Sequence, residues 1–302
     1  MKRFYSSSEL AEAFSVNEST VKRWADSGYI ECLRTKGGHR RFPIQSVMRF
    51  VQESKMDVPE LASQLFGSPE LRSDLFAGVT DALAPKLKAA ALDGDINQSL
   101  AILRAGLASK PNLLALFNDI VFRVLTEIGD EWAAGKMTVD IEHLASQTLR
   151  SALTQLQSSI HNEESNGRIA LLSCIDGQLH DIVLSCTSIY LQSRGWKVFN
   201  LGQSTPTKSL LHAVKTHKPH LVLLSAINIG QERRFVLSVN KEIAPVVHRY
   251  GAKLAIGGSR VKSRFSGKLT ADFLSESILD LHEISAPDQY PKRPHGHPSR
   301  RS

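Results

Sequence analysis

The chain has 302 residues, of which 42% are hydrophobic and 22% charged, with a net charge of +7. That length calls for two or three domains. No apolar run approaches the ~18 residues that span a bilayer, no apolar core follows Lys2-Arg3 as a secretory signal requires, and the scattered Cys32, Cys174 and Cys186 lack metal-ligand spacing, so a reduced cytoplasmic protein is expected.

The charge is concentrated at the ends. Residues 1–50 hold nine Lys/Arg against five Asp/Glu, and 291–302 add Lys292, Arg293, Arg300 and Arg301 without an acid. The middle is close to neutral, a distribution suited to phosphate contact at the ends. Residues 286–302 read as a basic, disordered tail.

Residues 1–55 read as a DNA-binding domain. A cap at Ser7 or Ser8 opens a helix to Phe14, Ser15-Val16-Asn17 turns the chain, and Glu18–Ser27 forms a second helix ended by Gly28. Two short helices across a tight turn make a helix-turn-helix. The second presents Asn17, Ser19, Thr20, Lys22 and Arg23 near its start, residue types that reach base edges and phosphates from the major groove. A basic hairpin follows, turning at Gly37-Gly38 and carrying Arg34, Lys36, His39, Arg40 and Arg41. Alone, such a hairpin is as readily a solvated turn; after a helix pair it reads as a wing along the phosphate backbone. Pro43-Ile44 and the stripe Val47, Phe50, Val51 begin a packing helix. The order of helix, turn, helix and Thr-Lys-Gly-Gly-His-Arg-Arg-Phe resembles the winged helix-turn-helix of MerR-family transcription regulators over residues 3–52. No long dimerising helix is evident directly afterwards.

Residues 70–160 read as a four-helix bundle. Leu83–Leu92 and Ile96–Leu107 are amphipathic and are separated by Gly94-Asp95. A helix starting at Pro111 carries Leu113, Phe117, Val121, Leu125, Ile128 and Trp132 at spacings of three and four. After Gly135, Thr138 caps a helix with Ile141, Leu144, Ala145, Leu149, Leu153 and Leu156 on one face. Trp132 is separated by nine residues from Glu142-His143. Either Trp132 is core and the pair a solvated first turn, or the connection gathers indole, carboxylate and imidazole at one end of the bundle.

Beyond the polar linker 161–167, residues 167–285 alternate strands and helices. Strands 168–173, 197–201, 220–225 and 253–256 are followed by helices 181–194, one from Pro206, and a long one to Tyr250; a short strand and helix lie between Ala271 and His282. This predicts a flavodoxin-like, doubly wound α/β domain. Ligands bind such sheets at the carboxyl ends of the strands. Gln178 and His180, Gly202, Ser225 and Gly257-Gly258 all fall there. A lone histidine is commonly a satisfied surface or core residue; here a serine and paired glycines converge with it, and it could coordinate a metal through one ring nitrogen while Gln178 orients the other. Spaced phosphate-binding glycines after the first strand are missing, so a nucleotide is not expected. The acidic residues of a phosphoacceptor receiver are missing as well.

The second half resembles the cobalamin-binding domain, whose Asp/Glu-x-His-x-x-Gly, Ser and Gly-Gly motifs match Gln178, His180, Val183, Ser225 and Gly257-Gly258. The Trp-x9-Glu-His spacing and the module order resemble MerR-type, cobalamin-dependent photoreceptor repressors of carotenoid synthesis. The resemblance implies that His180 is the lower ligand of cobalt in adenosylcobalamin or methylcobalamin. It also implies a bundle that caps the upper face through Trp132, Glu142 and His143, so that the cofactor is held between bundle and α/β domain. Three positions depart from the pattern. Gln178 replaces an acid, Val183 replaces a glycine, and Ala133 replaces the histidine that captures cobalt after light breaks the cobalt–carbon bond.

The expectation is therefore a cytoplasmic repressor, not an enzyme, that binds double-stranded operator DNA as a homo-oligomer whose assembly responds to cobalamin, and to light less than its relatives. A cobalamin enzyme would also need a substrate domain, such as a barrel of ~250 residues. The alternative keeps the DNA function but reads Gln178 and Val183 as a decayed pocket, with control by a protein partner such as an antirepressor. A redox role for Cys174 or Cys186 lacks an activating partner in the sequence. No membrane partner is expected.

Overall fold

The computed structural model describes residues 4–14, 16–35, 37–43, 46–47, 49–50, 83–109, 112–227 and 229–290. The chain divides into two compact units, Met1–His161 and Asn162–Ser302.

The first unit opens with β1 (Phe4–Tyr5), α1 (Ser7–Ala13) and α2 (Glu18–Asp26), then β2 (Leu33–Arg34) and β3 (Arg40–Pro43). The N-cap of α1 is Ser6, one residue before the expected serines. Glu9, three residues on, completes a capping box: Ser6 N–H donates to Glu9 Oε2 at 2.8 Å and Glu9 N–H to Ser6 Oγ at 3.3 Å. Gly28 closes the chain after α2 at φ +76°, a left-handed conformation that costs glycine nothing. Leu10, Phe14, Val21, Ile30, Phe42, Val47 and Phe50 are buried. Trp24 joins them, its ring 5.6 Å from Phe14 and 4.8 Å from Phe50. The expected wing is β2–β3, turned by Thr35 N–H to His39 O at 3.0 Å and by Gly38 at φ +76°. A third strand, β1, pairs with β3. At two residues it is too short to show alternation in sequence. Lys36, Ser15, Ile44, Val51 and Pro111 lie outside the described residues, as do the span 70–82 and residues 291–302. The first residues of the expected tail, 286–290, are instead ordered, because Pro287–Gln289 form a 3-10 turn and Tyr290 is buried edge-on against Trp196 at 5.0 Å.

The same unit holds α3 (Leu83–Leu92), α4 (Ile96–Ser109), α5 (Leu113–Leu116), α6 (Arg123–Ala133) and α7 (Val139–Ser159). A π-helical turn, Phe117–Phe122, joins α5 to α6. The turn rotates the buried face, so Val124 rather than Leu125 follows Phe117, Ile120 and Val121 into the core. Helices α3, α4, α6 and α7 pack on one another as a bundle. Gly106 of α4 lets α5 approach closely: a Cβ there would lie 2.6 Å from Leu116 Cδ1. Ala145, Leu149, Leu153 and Leu156 of α7 are fully buried, but Ile141 and Leu144 in its first two turns are exposed.

The second unit is a five-stranded parallel sheet: β4 (Ile169–Cys174), β5 (Lys197–Asn200), β6 (Leu221–Ser225), β7 (Lys253–Gly257) and β8 (Phe273–Ser275). Their order is β5-β4-β6-β7-β8, the flavodoxin-like order, which reverses direction between β4 and β6. Helix α8 (Ile182–Ser193) follows β4, and α9 (Thr207–His217) follows β5. The long helix expected after β6 is present but composite: α10 (Glu232–Ser238), a π-helical turn Val239–Ile243, and α11 (Ala244–Arg249). Pro245 explains the π turn, because its ring cannot donate and crowds the carbonyl one turn back. Strands β4, β6 and β7 are buried on both faces, as a sheet covered by helices requires. No helix among the described residues is long and apolar enough to cross a membrane.

Candidate functional site

The sheet reverses direction between β4 and β6, the place where ligands bind in such folds, and the candidate ligand residues fall at the carboxyl ends of these strands. Cys174, Ser225 and Gly257 end three neighbouring strands in register, forming a row across the sheet. Ser225 is 2% exposed, and its Oγ has no hydrogen-bond partner among the described residues; the adjacent Cys174 thiol is at best a weak one. A buried hydroxyl without a partner is costly and points to a group missing from the protein. Burial, reinforced by the charge of Asp181, pushes the Cys174 thiol up to about 11. It stays protonated at neutral pH, which makes it a poor nucleophile.

The loop after β4 presents the histidine. Gln178 is buried and its amide is fixed at both ends: Nε2 donates to Ile227 O at 2.7 Å, and Oε1 lies 3.0 Å from His180 Nδ1. An amide oxygen only accepts, so His180 carries its proton on Nδ1 and its Nε2 lone pair is free. His180 is exposed, and Nε2 is the atom a metal would take. Among the described residues no group of three or more His, Cys, Asp or Glu could hold a bare metal ion. Of these residue types, His180 alone therefore does not make a bare-metal site among the described residues.

Ser204, which no motif singles out, holds this loop. It adopts φ +39°, unusual for a residue with a side chain. Its N–H donates to Gln178 O at 2.8 Å, and its Oγ accepts from Gly177 N–H at 2.9 Å. Ser204→Ala is expected to cost about 1 kcal/mol and to speed hydrogen exchange at the Gly177 amide by severalfold; unchanged exchange would show that the latch contributes nothing.

The glycines divide. Gly202 at φ +75° and Gly257 both face open space. Gly258 does not: a Cβ there would meet Ala226 O at 2.1 Å, so the glycine serves the approach of two backbones rather than of a ligand. Val183, in the first turn of α8, is partly buried.

In the bundle, Trp132 is 50% exposed near the end of α6 and is joined by the exposed Val139, Ile141 and Leu144 of α7. Singly exposed apolar residues are ordinary, but four of them within thirteen residues of chain make this end of the bundle unusually apolar for a solvated surface. Glu142 accepts from Ser146 Oγ at 2.7 Å, and His143 Nε2 lies 3.6 Å from its other oxygen. Thr138 occupies the N-cap position but bonds the Asp140 carboxylate instead of the backbone. That bond and the first-turn N–H groups hold the Asp140 carboxyl below its usual range.

In the head, Ser19, Lys22, Arg23, Gly37, Gly38, His39 and Arg41 are exposed and Thr20 is half-buried. Lys22 pairs with Glu18 at 2.9 Å on the helix surface. Arg34 and Arg40 both turn to Asp26 at the end of α2.

Comparison with known proteins agrees with both regions. A helix-turn-helix domain family matches residues 4–55, and a B12 binding domain family matches residues 83–157, the span of the bundle. The chain is 25% identical over 242 residues to the HTH-type transcriptional repressor CarA of Myxococcus xanthus, covering 75% of this chain and 77% of that protein. It is 26% identical over 245 residues to CarH of the same organism, covering 75% and 80%. Trimethylamine corrinoid protein 1 of Methanosarcina acetivorans is 21% identical over 199 residues, covering 65% of this chain and 92% of that protein. In fold, the chain is similar to the structure of the Methanosarcina barkeri monomethylamine corrinoid protein, with a TM-score of 0.55 and 16% identity over 68% of this chain and 97% of that one.

Proposed function

We propose that this chain, a helix-turn-helix protein with a B12 binding domain that resembles the CarA and CarH repressors, is a transcriptional repressor whose operator binding responds to cobalamin. The observation that carries the cofactor is the Gln178–His180 pair: a locked amide fixes the imidazole as the tautomer whose Nε2 is free to ligate. The orphaned Ser225 hydroxyl and the open space over Gly257 fit a bulky ligand with polar edges. Cobalamin, when bound, would supply a cobalt centre that an imidazole can ligate and a cobalt–carbon bond. His180 would ligate the cobalt, held in place by Gln178 and Ser204, and Trp132 and Glu142 of the bundle would offer the cofactor an apolar and a carboxylate contact.

The cofactor is then read out through assembly. More copies held together engage more DNA heads, an avidity gain that needs no new DNA contact. Neither a catalytic base nor an activated nucleophile is invoked. The competing reading, a pocket that no longer admits cobalamin, rests on Val183, whose branched side chain stands where the related domains carry glycine.

The test is direct. Full-length protein is mixed with adenosylcobalamin in the dark and desalted, and its visible spectrum and mass are recorded before and after illumination. Retained corrin with a change of oligomeric size supports the sensor; loss of all cobalamin on desalting favours the decayed pocket. With Ala133 following Trp132, the response to illumination is expected to be weak, and the variant Ala133→His is expected to strengthen the change in spectrum and size; an equal response in both proteins would overturn this expectation.

A further inference from the structure

Arg34 and Arg40 are directly opposed across the wing, paired in register on β2 and β3. Like charges so placed repel and destabilise a hairpin. The counter-charge comes from outside the hairpin: Asp26, the last residue of α2, takes Arg40 Nη2 at 2.6 and 2.8 Å through its two carboxylate oxygens and Arg34 Nη2 at 3.2 Å. The two arginines are not equivalent. Arg34 is 59% exposed, whereas Arg40 is only 14% exposed, with its Nε buried and unbonded. To reach a phosphate, Arg40 would have to leave two charge-assisted hydrogen bonds and uncover a carboxylate beside the DNA. Arg41, its neighbour, points outward and has no ion-pair partner among the described residues.

We propose that Asp26 clamps the wing to the second helix of the helix-turn-helix through Arg40, which is a positioning residue and makes no phosphate contact. The clamp rests on the DNA-binding reading and gives it a specific form. The helix that enters the groove and the hairpin that follows the backbone move as one piece, and their spacing is set by a single carboxylate. Arg41, exposed on the same strand, supplies the phosphate contact.

The experiment measures affinity for a fluorescein-labelled 30-base-pair duplex of arbitrary sequence as salt is raised, using full-length, cofactor-free protein. The slope of log affinity against log salt counts neutralised phosphates, about 0.9 for each. Arg41→Ala is expected to lower the slope by about 1. Arg40→Ala is expected to weaken binding with no change in slope, since it loosens the wing without removing a contact. Asp26→Asn releases a guanidinium and is expected to raise the slope by about 1; this holds the proposal to account even if Arg40→Ala fails to fold. A fall of about 1 in Arg40→Ala, or no rise in Asp26→Asn, overturns the clamp. Wild-type protein that binds no duplex at low salt overturns the DNA reading and the clamp with it.

Discussion

In protein loaded with methylcobalamin in the dark, His180→Ala is expected to convert the visible spectrum from a nitrogen-ligated to a water-ligated form and to weaken retention at least tenfold. The magnitude follows from what remains. Partners that only orient a ligand are worth about 10–100-fold in metal affinity, and here the ligand itself is removed. No neighbour can replace it. The nearby Cys174 thiol is held protonated, with its affinity for the proton raised to about 11, and Gln178 offers an amide oxygen already fixed by the Ile227 carbonyl bond on its other end. The substitution also strands that buried oxygen without a donor, so the loop loses order as well as the ligand. Gln178→Leu separates the two effects. It leaves the imidazole in place but unoriented, and an intermediate loss with a mixed spectrum is expected. A spectrum identical in wild type and His180→Ala would remove His180 from the cofactor and with it the main support for the pocket.

The α/β order was legible because its strands are nearly uninterrupted apolar runs, such as Leu221–Ser225, bounded by glycine, proline and polar turns. The bundle helices were legible from their stripes, but a sequence stripe assumes an unbroken 3.6-residue period. The π turn at Phe117–Phe122 breaks it and moves Leu125 to the margin. At the site, spacing from strand ends placed Gln178, His180, Ser225 and Gly257 together. It could not reveal Ser204, whose role depends on a left-handed backbone at a residue type that does not advertise one. Nor could it separate Gly257 from Gly258: adjacent glycines look alike until the Ala226 carbonyl is seen to fill the space of one and not the other. In the head, counting basic residues treated Arg40 and Arg41 as equals. Only the strand register, which aims Arg40 at Asp26, distinguishes them.

Gly258→Ala is expected to destabilise the α/β unit by about 3–5 kcal/mol, from backbone strain and overpacking together. The new methyl would lie 2.1 Å from Ala226 O and 2.8 Å from its carbonyl carbon, at φ +157°. These are backbone atoms, and neither side can retreat. Gly258 N–H bonds Ser275 O at 3.1 Å, tying it to β8, and Ala226 N–H bonds Gly257 O at 2.8 Å, tying β6 to β7 just beyond the ladder. Relief of the clash would open the strand ends where Ser225 and Gly257 sit. A loss of that size is a large part of the ~5–15 kcal/mol that holds a domain together and should lower Tm by roughly 10 °C or more. Gly257→Ala is the contrasting variant. Its methyl enters open space, so Tm should move by less than about 2 °C, while cobalamin retention is expected to fall, since the methyl would occupy space the proposed cofactor needs. Thermal unfolding and corrin retention measured on both variants thus assign one glycine to the fold and its neighbour to the cofactor. A Gly258→Ala protein that melts like the wild type would show that the two backbones part more easily than their hydrogen bonds imply.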